Sequence, residues 1–334
     1  MPGTETIFTM DTSSIKYGPG ATREVGEEMR RLGATRVLVV TDPRLSDSQA
    51  VQTTLESLRA AGIEAELYDR TRVEPTDASF LDAIAVATEG KFDGYVGVGG
   101  GSSIDTAKVA NLYATWPTDL LEYVNAPIGR ATPVPGPVKP LIAIPTTAGT
   151  GSETTGVAIF DYEAMHAKTG IAHRALRPVM GIVDPDNTRT MPPMVAACSG
   201  FDVLSHAVES LTALPYGQRP APESIGMRPA CQGANPNPHI WATRAIEMVA
   251  ANIVRAVEHP DDDEARGQML LASAFAGIGF GNAGVHLPHG MSYPVSGMVR
   301  EYQPEGYDVG HPIIPHGMSV MLNAPAVFRW TSQA

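Results

Sequence analysis

The first half of the chain alternates short apolar runs with stretches of helical period. Residues 36–41 (RVLVVT) form a β-branched run ending at Asp42-Pro43, which predicts a strand. Residues 49–61 place apolar side chains at helical spacing and stop at Gly62. Residues 65–68 predict the next strand, and residues 77–88 the next helix, which ends at Gly90. Residues 94–98 form a buried-type strand that runs straight into Gly99-Gly100-Gly101-Ser102 and a helix from about Ser103. Residues 140–144 repeat the pattern and lead into Pro145-Thr146-Thr147-Ala148-Gly149-Thr150-Gly151. Such β-α-β units predict a parallel sheet that receives ligands at the C-terminal ends of its strands.

After Pro192 the period becomes helical, over residues 195–214, 241–257 and 265–278. The Pro-rich break between Asp184-Pro185 and Met191-Pro192-Pro193 sets the expected boundary. An α/β nucleotide-binding domain covers residues 1–190, and an all-α domain covers 191–334. Residues 215–238 are rich in Pro, Gly and Asn without periodicity, a loop long enough to imply a role.

The net charge of −12 leaves no basic stripe for nucleic acid and does not favour an anionic membrane surface. Two cysteines, Cys198 and Cys231, supply neither a disulfide framework nor a thiolate metal cluster. Cys198, with no base at suggestive spacing, reads as a structural thiol. The opening residues show no basic-then-apolar leader, and the tract 269–280 is short for a membrane span. A cytoplasmic enzyme is the resulting expectation.

Two kinds of chemistry stand out. A strand feeding Gly99, Gly100, Gly101 and Ser102 and then a helix is a phosphate cradle: glycines admit close approach, and the free N–H groups face the anion. Thr146, Thr147 and Ser152 offer a second surface of hydroxyls at another strand end. Asp42, just past the first core strand, can accept bonds from ribose hydroxyls and disfavours a 2′-phosphate, so NAD is expected over NADP. Asp42 equally suits the turn before Pro43.

The second kind is metal chemistry. All nine histidines lie at or beyond His166. Asp202 and His206 share one helix face, one turn apart. His289 and His316, each before a glycine, can complete a set of one oxygen and three nitrogens suited to Fe²⁺ or Zn²⁺. His286 and His311 compete for the same roles on spacing alone.

Taken together, the segments resemble the iron-containing (group III) alcohol dehydrogenase family. The motifs are Thr41-Asp42, the run Gly99-Gly-Gly-Ser-Ser-Ile-Asp105-Thr-Ala-Lys108, and the run Ile144-Pro-Thr-Thr-Ala-Gly-Thr-Gly-Ser-Glu153. Asp202-Val-Leu-Ser-His206, His289-Gly-Met and Pro315-His316-Gly follow in order. The resemblance implies a nucleotide-binding domain, a helical domain, and metal and nicotinamide meeting in the cleft between them. It selects Asp202, His206, His289 and His316 as ligands and adds Asp105 and Lys168 to the cofactor contacts.

Within the family the chain looks closest to the hydroxyacid-oxoacid transhydrogenases. That likeness rests on the insert ending at residues 227–236, the block 271–286, and His289-Gly-Met-Ser-Tyr293-Pro294. It implies oxidation of 4-hydroxybutyrate to succinate semialdehyde, coupled to reduction of 2-oxoglutarate to 2-hydroxyglutarate through a retained NAD, in a homo-oligomer. Many family members carry His at the position of Tyr293, which is here a poorer proton relay at neutral pH. Arg219, Arg228 and Lys168 are the cations able to meet substrate carboxylates. A conventional dehydrogenase of a small primary alcohol with free NAD is the competing expectation. An inactive nucleotide-binding remnant is a third, because the chain ends 18 residues beyond His316 and reads as shortened at that end.

Overall fold

A computed structural model describes residues 3–224 and 227–332. The chain divides into two compact units. One comprises Thr12–Thr146 and Ser152–Asn187; the other comprises Met1–Asp11, Thr147–Gly151 and Thr188–Ala334. Two short segments that precede residue 190 thus fall in the helical unit. Residues 3–11 join the helical unit through Glu5 N–H to Arg219 O (2.8 Å), Thr9 N–H to Gln232 Oε1 (2.9 Å) and Asp11 N–H to Asn282 Oδ1 (2.9 Å). Long-range bonds of this kind leave no local periodicity to read.

The α/β unit runs β1 (Ser14–Tyr17), α1 (Val25–Arg31), β2 (Arg36–Val40), α2 (Gln49–Ala60), β3 (Glu64–Tyr68), α3 (Asp77–Gly90), β4 (Gly94–Gly99) and α4 (Gly101–Thr115). It continues with α5 (Leu120–Tyr123), β5 (Leu141–Pro145), the hairpin β6 (Val157–Tyr162) and β7 (Ala167–Ala172), and β8 (Met180–Val183). Among the described residues β1-β8-β5-β4-β2-β3 form one sheet, parallel at every pairing. Both of its faces are covered. Val37, Val39, Val96 and Val98 enter one apolar cluster, while Leu38, Val40 and Tyr95 enter another with Ala107 and Ala110 of α4. A strand buried on both sides has no polar face, which is why these runs are continuously apolar. The chain moves outward from β2 to β3 and the other way from β4 to β5, so the switch point lies at the C-terminal ends of β2 and β4.

The helical unit contains α6 (Pro193–Thr212), α7 (Pro236–Glu258), α8 (Asp263–Ala283), α9 (Leu287–Gly297) and α10 (His316–Thr331). α8 is buried nearly all round and built largely of Ala and Gly, which lets α6 and α7 pack closely on it. Residues 147–151 lie against these helices: a Cβ at Gly149 would stand 2.7 Å from Ser199 Cβ, and one at Gly151 2.6 Å from Gly277 Cα. Among the described residues no single helix is long and apolar enough to cross a membrane. Residues 225 and 226 of the long 215–238 loop lie outside the described residues.

Candidate metal centre

Pro193 opens α6 at a position where its missing N–H costs nothing, and the helix then carries Asp202 and His206 one turn apart on its buried face. His289 is the third residue of α9 and His316 the first of α10. One potential ligand atom from each of the four lies within 4.8 Å of the other three. The Nε2 atoms of His289, His316 and His206 stand 3.6, 3.8 and 3.9 Å from the same atom, Asp202 Oδ1. The sequence pairing of α6 with the two His-Gly steps is thus realised in space. His286 and His311 are turned to other work: His286 Nε2 meets Thr212 Oγ1 at 2.8 Å, and His311 Nδ1 meets Val309 O at 2.9 Å.

The close approach has a steric origin. A Cβ on Gly317 would sit 1.9 Å from Cys198 O and 2.9 Å from Asp202 Cβ, so only glycine lets α10 touch α6 there and deliver His316. A Cβ on Gly290, after His289, would meet nothing within 4 Å, so that glycine has no such duty. His206 is held by stacking on Phe280, with ring centroids 4.1 Å apart. Cys198 is a free, buried thiol whose pKa burial raises, in keeping with a structural role.

The electrostatics are those of a crowded, largely buried site. Burial alone would raise the Asp202 carboxyl, but the imidazoles of His206, His316 and His289 hold it well below the usual carboxylate range. Burial pushes His206 down to about 4. Burial opposes charge on His289 too, yet the Asp202 and Glu209 carboxylates lift it to about 9. Asp202 Oδ1 and His289 Nε2 are buried without a hydrogen-bond partner. Orphaned polar atoms of this kind are rare in protein interiors, and a divalent cation on this O,N₃ donor set satisfies both. The four residues fit a metal.

Glu209, absent from the sequence expectation, is the second carboxylate on that face of α6 and is fully buried. Its Oε1 lies 2.5 Å from His289 Nδ1, and its Oε2 accepts the His286 N–H at 2.7 Å. Its spacing, seven residues after Asp202 and three after His206, was the available signal. Tyr293 follows one turn after His289 on α9, half-buried.

In the α/β unit, Asp42, Gly99–Ser102 and Thr146 all lie at or just beyond the C-terminal ends of adjacent strands β2, β4 and β5. Gly100 N-caps α4 with no side-chain hydrogen bond, and a Cβ on Gly99 (φ +147°) would stand 2.5 Å from Ser103 Oγ. A bare helix N-terminus behind glycines fits a phosphate. Asp42 is buried, which raises its pKa, and its Oδ1 accepts the Arg44 N–H at 3.0 Å. Thr147 packs with the helical unit.

Asp105 and Ser152 belong to a buried network that the sequence did not disclose. Lys108 Nζ donates to Ser152 Oγ (2.6 Å) and Val157 O (2.8 Å), Ser152 Oγ donates to Asp105 Oδ1 (2.5 Å), and Asp105 Oδ2 accepts the Ile159 N–H (2.9 Å). Lys168 is buried between Glu74 (2.6 Å) and Asp161 (3.2 Å). Arg228 pairs with Glu5 at 3.0 Å, and Arg219 Nη1 donates to Cys231 O at 2.8 Å. Each of these four cations thus has protein partners in place.

Comparison with known proteins agrees with this geometry. The family model described as "Iron-containing alcohol dehydrogenase" matches residues 12–185, and that described as "Fe-containing alcohol dehydrogenase family, C-terminal" matches residues 231–334. The chain is 58% identical over 332 residues to the Bos taurus protein named hydroxyacid-oxoacid transhydrogenase, mitochondrial, covering 99% of this chain and 71% of that one. It is 51% identical over 344 residues to a Dictyostelium discoideum protein named as a probable mitochondrial enzyme of the same kind, covering 98% of this chain and 63% of the relative. Among solved structures, a 1,3-propanediol oxidoreductase aligns with TM-score 0.82 at 31% identity, covering 97% of this chain and 76% of the other. Sulfoacetaldehyde reductase from Bifidobacterium kashiwanohense, solved with NAD⁺, aligns with TM-score 0.78 at 25% identity, covering 97% and 77%.

These relatives overturn the cytoplasmic expectation, because they are named as mitochondrial enzymes. The pattern of the opening residues, the short apolar tract, charge and cysteine content had no power to separate the two compartments. The matches support NAD and a metal as cofactors and small molecules as substrates. With both halves matched and more than half of its residues shared with curated relatives, the chain belongs to the iron-containing alcohol dehydrogenase family and is an oxidoreductase.

Proposed function

We propose that this chain is a hydroxyacid-oxoacid transhydrogenase that moves hydride from 4-hydroxybutyrate, or a similar hydroxy acid, to 2-oxoglutarate through bound NAD. The products are succinate semialdehyde and 2-hydroxyglutarate. Two electrons leave one substrate as hydride and return to the other, so no external oxidant is consumed. The identity of 58% to a protein of that name, over 99% of this chain, is the observation that carries the reading.

Asp202, His206, His289 and His316 would hold the ion, and the family name supports Fe²⁺, with Zn²⁺ suited to the same donors. Bound there, the ion supplies Lewis acidity toward a substrate oxygen. The remaining work falls to the protein. The α4 N-terminus and Gly99–Ser102 take the pyrophosphate, and Thr146 lines the neighbouring strand end. Asp42 accepts from the ribose hydroxyls and disfavours a 2′-phosphate, which supports NAD over NADP. Tyr293, one turn after His289 on α9, is the proposed proton relay. The family resemblance supports a homo-oligomer.

The test mixes Fe²⁺-loaded protein with 4-hydroxybutyrate and 2-oxoglutarate, adds no NAD, and quantifies 2-hydroxyglutarate. Many turnovers are expected. Formation of NADH only when NAD is supplied, with no product otherwise, would identify a conventional alcohol dehydrogenase instead.

A further inference from the structure

Asp202, His206 and Glu209 occupy one face of α6, but only the first two belong to the four-residue cluster. Glu209 is fully buried, and both of its oxygens are committed to one short stretch of chain. Oε1 meets His289 Nδ1 at 2.5 Å and Oε2 accepts the His286 N–H at 2.7 Å. That stretch is the turn from α8 into α9, which passes through Gly284 at φ +93°. His286 is the N-cap of α9 and makes no side-chain capping bond of its own. One carboxylate therefore anchors the entry of α9, where negative charge is favoured, and the ring of the histidine three residues later.

We infer that Glu209 is the positioning residue of the metal centre, a role resting on the reading of Asp202, His206, His289 and His316 as its ligands. A carboxylate only accepts, so His289 Nδ1 donates to it, which leaves Nε2 as the nitrogen able to bind an ion once its proton is displaced. That Nε2 is the orphaned atom 3.6 Å from orphaned Asp202 Oδ1. An anchor for the α9 turn needs one oxygen; the second oxygen on the far nitrogen of His289 is what a purely structural role leaves unexplained. Carboxylates that hold a ligating histidine through its other nitrogen commonly govern metal affinity.

The experiment measures Co²⁺ binding by chelator competition and visible spectrum, with the thermal midpoint of the metal-free protein alongside. Glu209→Gln keeps the volume but turns an NH₂ toward either His286 N–H or His289 Nδ1. It should bind Co²⁺ roughly 10–100-fold more weakly, with a shifted visible band, while the metal-free protein stays folded. Glu209→Asp retains the charge and withdraws both oxygens, and it too should weaken binding. Wild-type affinity and spectrum in either folded variant would overturn the role, as would failure of both variants to fold. Failure of the wild-type protein to take up Co²⁺ is a separate result and would sink the metal-centre reading itself.

Discussion

His289 Nε2 and Asp202 Oδ1 face each other across 3.6 Å in the protein interior, and neither has a hydrogen-bond partner. Leaving buried polar atoms unpaired costs on the order of 1–3 kcal/mol each, and a cation bound between them would offset that cost, as the proposed metal centre requires. Replacing either residue should abolish metal retention. Asp202→Asn and His289→Ala proteins, loaded with Fe²⁺ and desalted, should carry little metal and show turnover reduced by roughly 100-fold or more. Full turnover in either variant would count against the site.

The two His-Gly steps make opposite predictions. Gly317→Ala places a methyl against Cys198 O and Asp202 Cβ, and should cost roughly 1–3 kcal/mol by overpacking while displacing His316 and lowering metal retention. Gly290 lies within α9 with open space around it, so Gly290→Ala should stabilise by about 0.5–1 kcal/mol. Denaturant unfolding of both proteins checks the contrast. Equal effects would show that the α6–α10 approach does not depend on glycine.

Much of this was legible in the sequence. The strands β2, β4 and β5 announced themselves because burial on both faces makes them apolar throughout. α9 and α10 did not, since Pro294 and Pro325 interrupt their patterns. Asp202 and His206 were visible as an i,i+4 pair, but their partners came from family resemblance, because spacing could not separate His289 and His316 from His286 and His311. Glu209 was passed over because buried glutamates are rare and its partner lies 80 residues away. The bonds of Lys108 and Lys168 were likewise invisible, as both reach distant segments.

A pH prediction follows from Glu153. It is buried, its Oε1 has no partner, and burial raises its pKa to about 7, against the opposing pull of Lys108. The folded state therefore binds the proton more tightly than the unfolded state does. Stability falls as pH rises from the unfolded value of about 4.3 through the folded value of about 7, and above that the charged form carries its full cost. Glu153→Gln removes this term, so it should raise the unfolding free energy at pH 8.5 by an amount on the order of 3 kcal/mol, seen as a higher thermal midpoint, and change it little at pH 5. The same difference at both pH values would contradict the assignment.

Arg228 gives a prediction about the loop. Its guanidinium meets Glu5 at 3.0 Å, and both side chains are largely buried. Arg228→Ala should leave KM for 4-hydroxybutyrate unchanged and make residues 3–11 more susceptible to limited proteolysis. A large rise in KM with intact protease resistance would instead give Arg228 to the substrate carboxylate.

The most direct test of the account is metal stoichiometry measured beside turnover on the same preparation. Protein loaded anaerobically with Fe²⁺ should hold about one ion per chain at its O,N₃ donor set. Chelation should remove the ion and transhydrogenation together, and added Fe²⁺ should restore both. Undiminished turnover in protein stripped of all metal would contradict it.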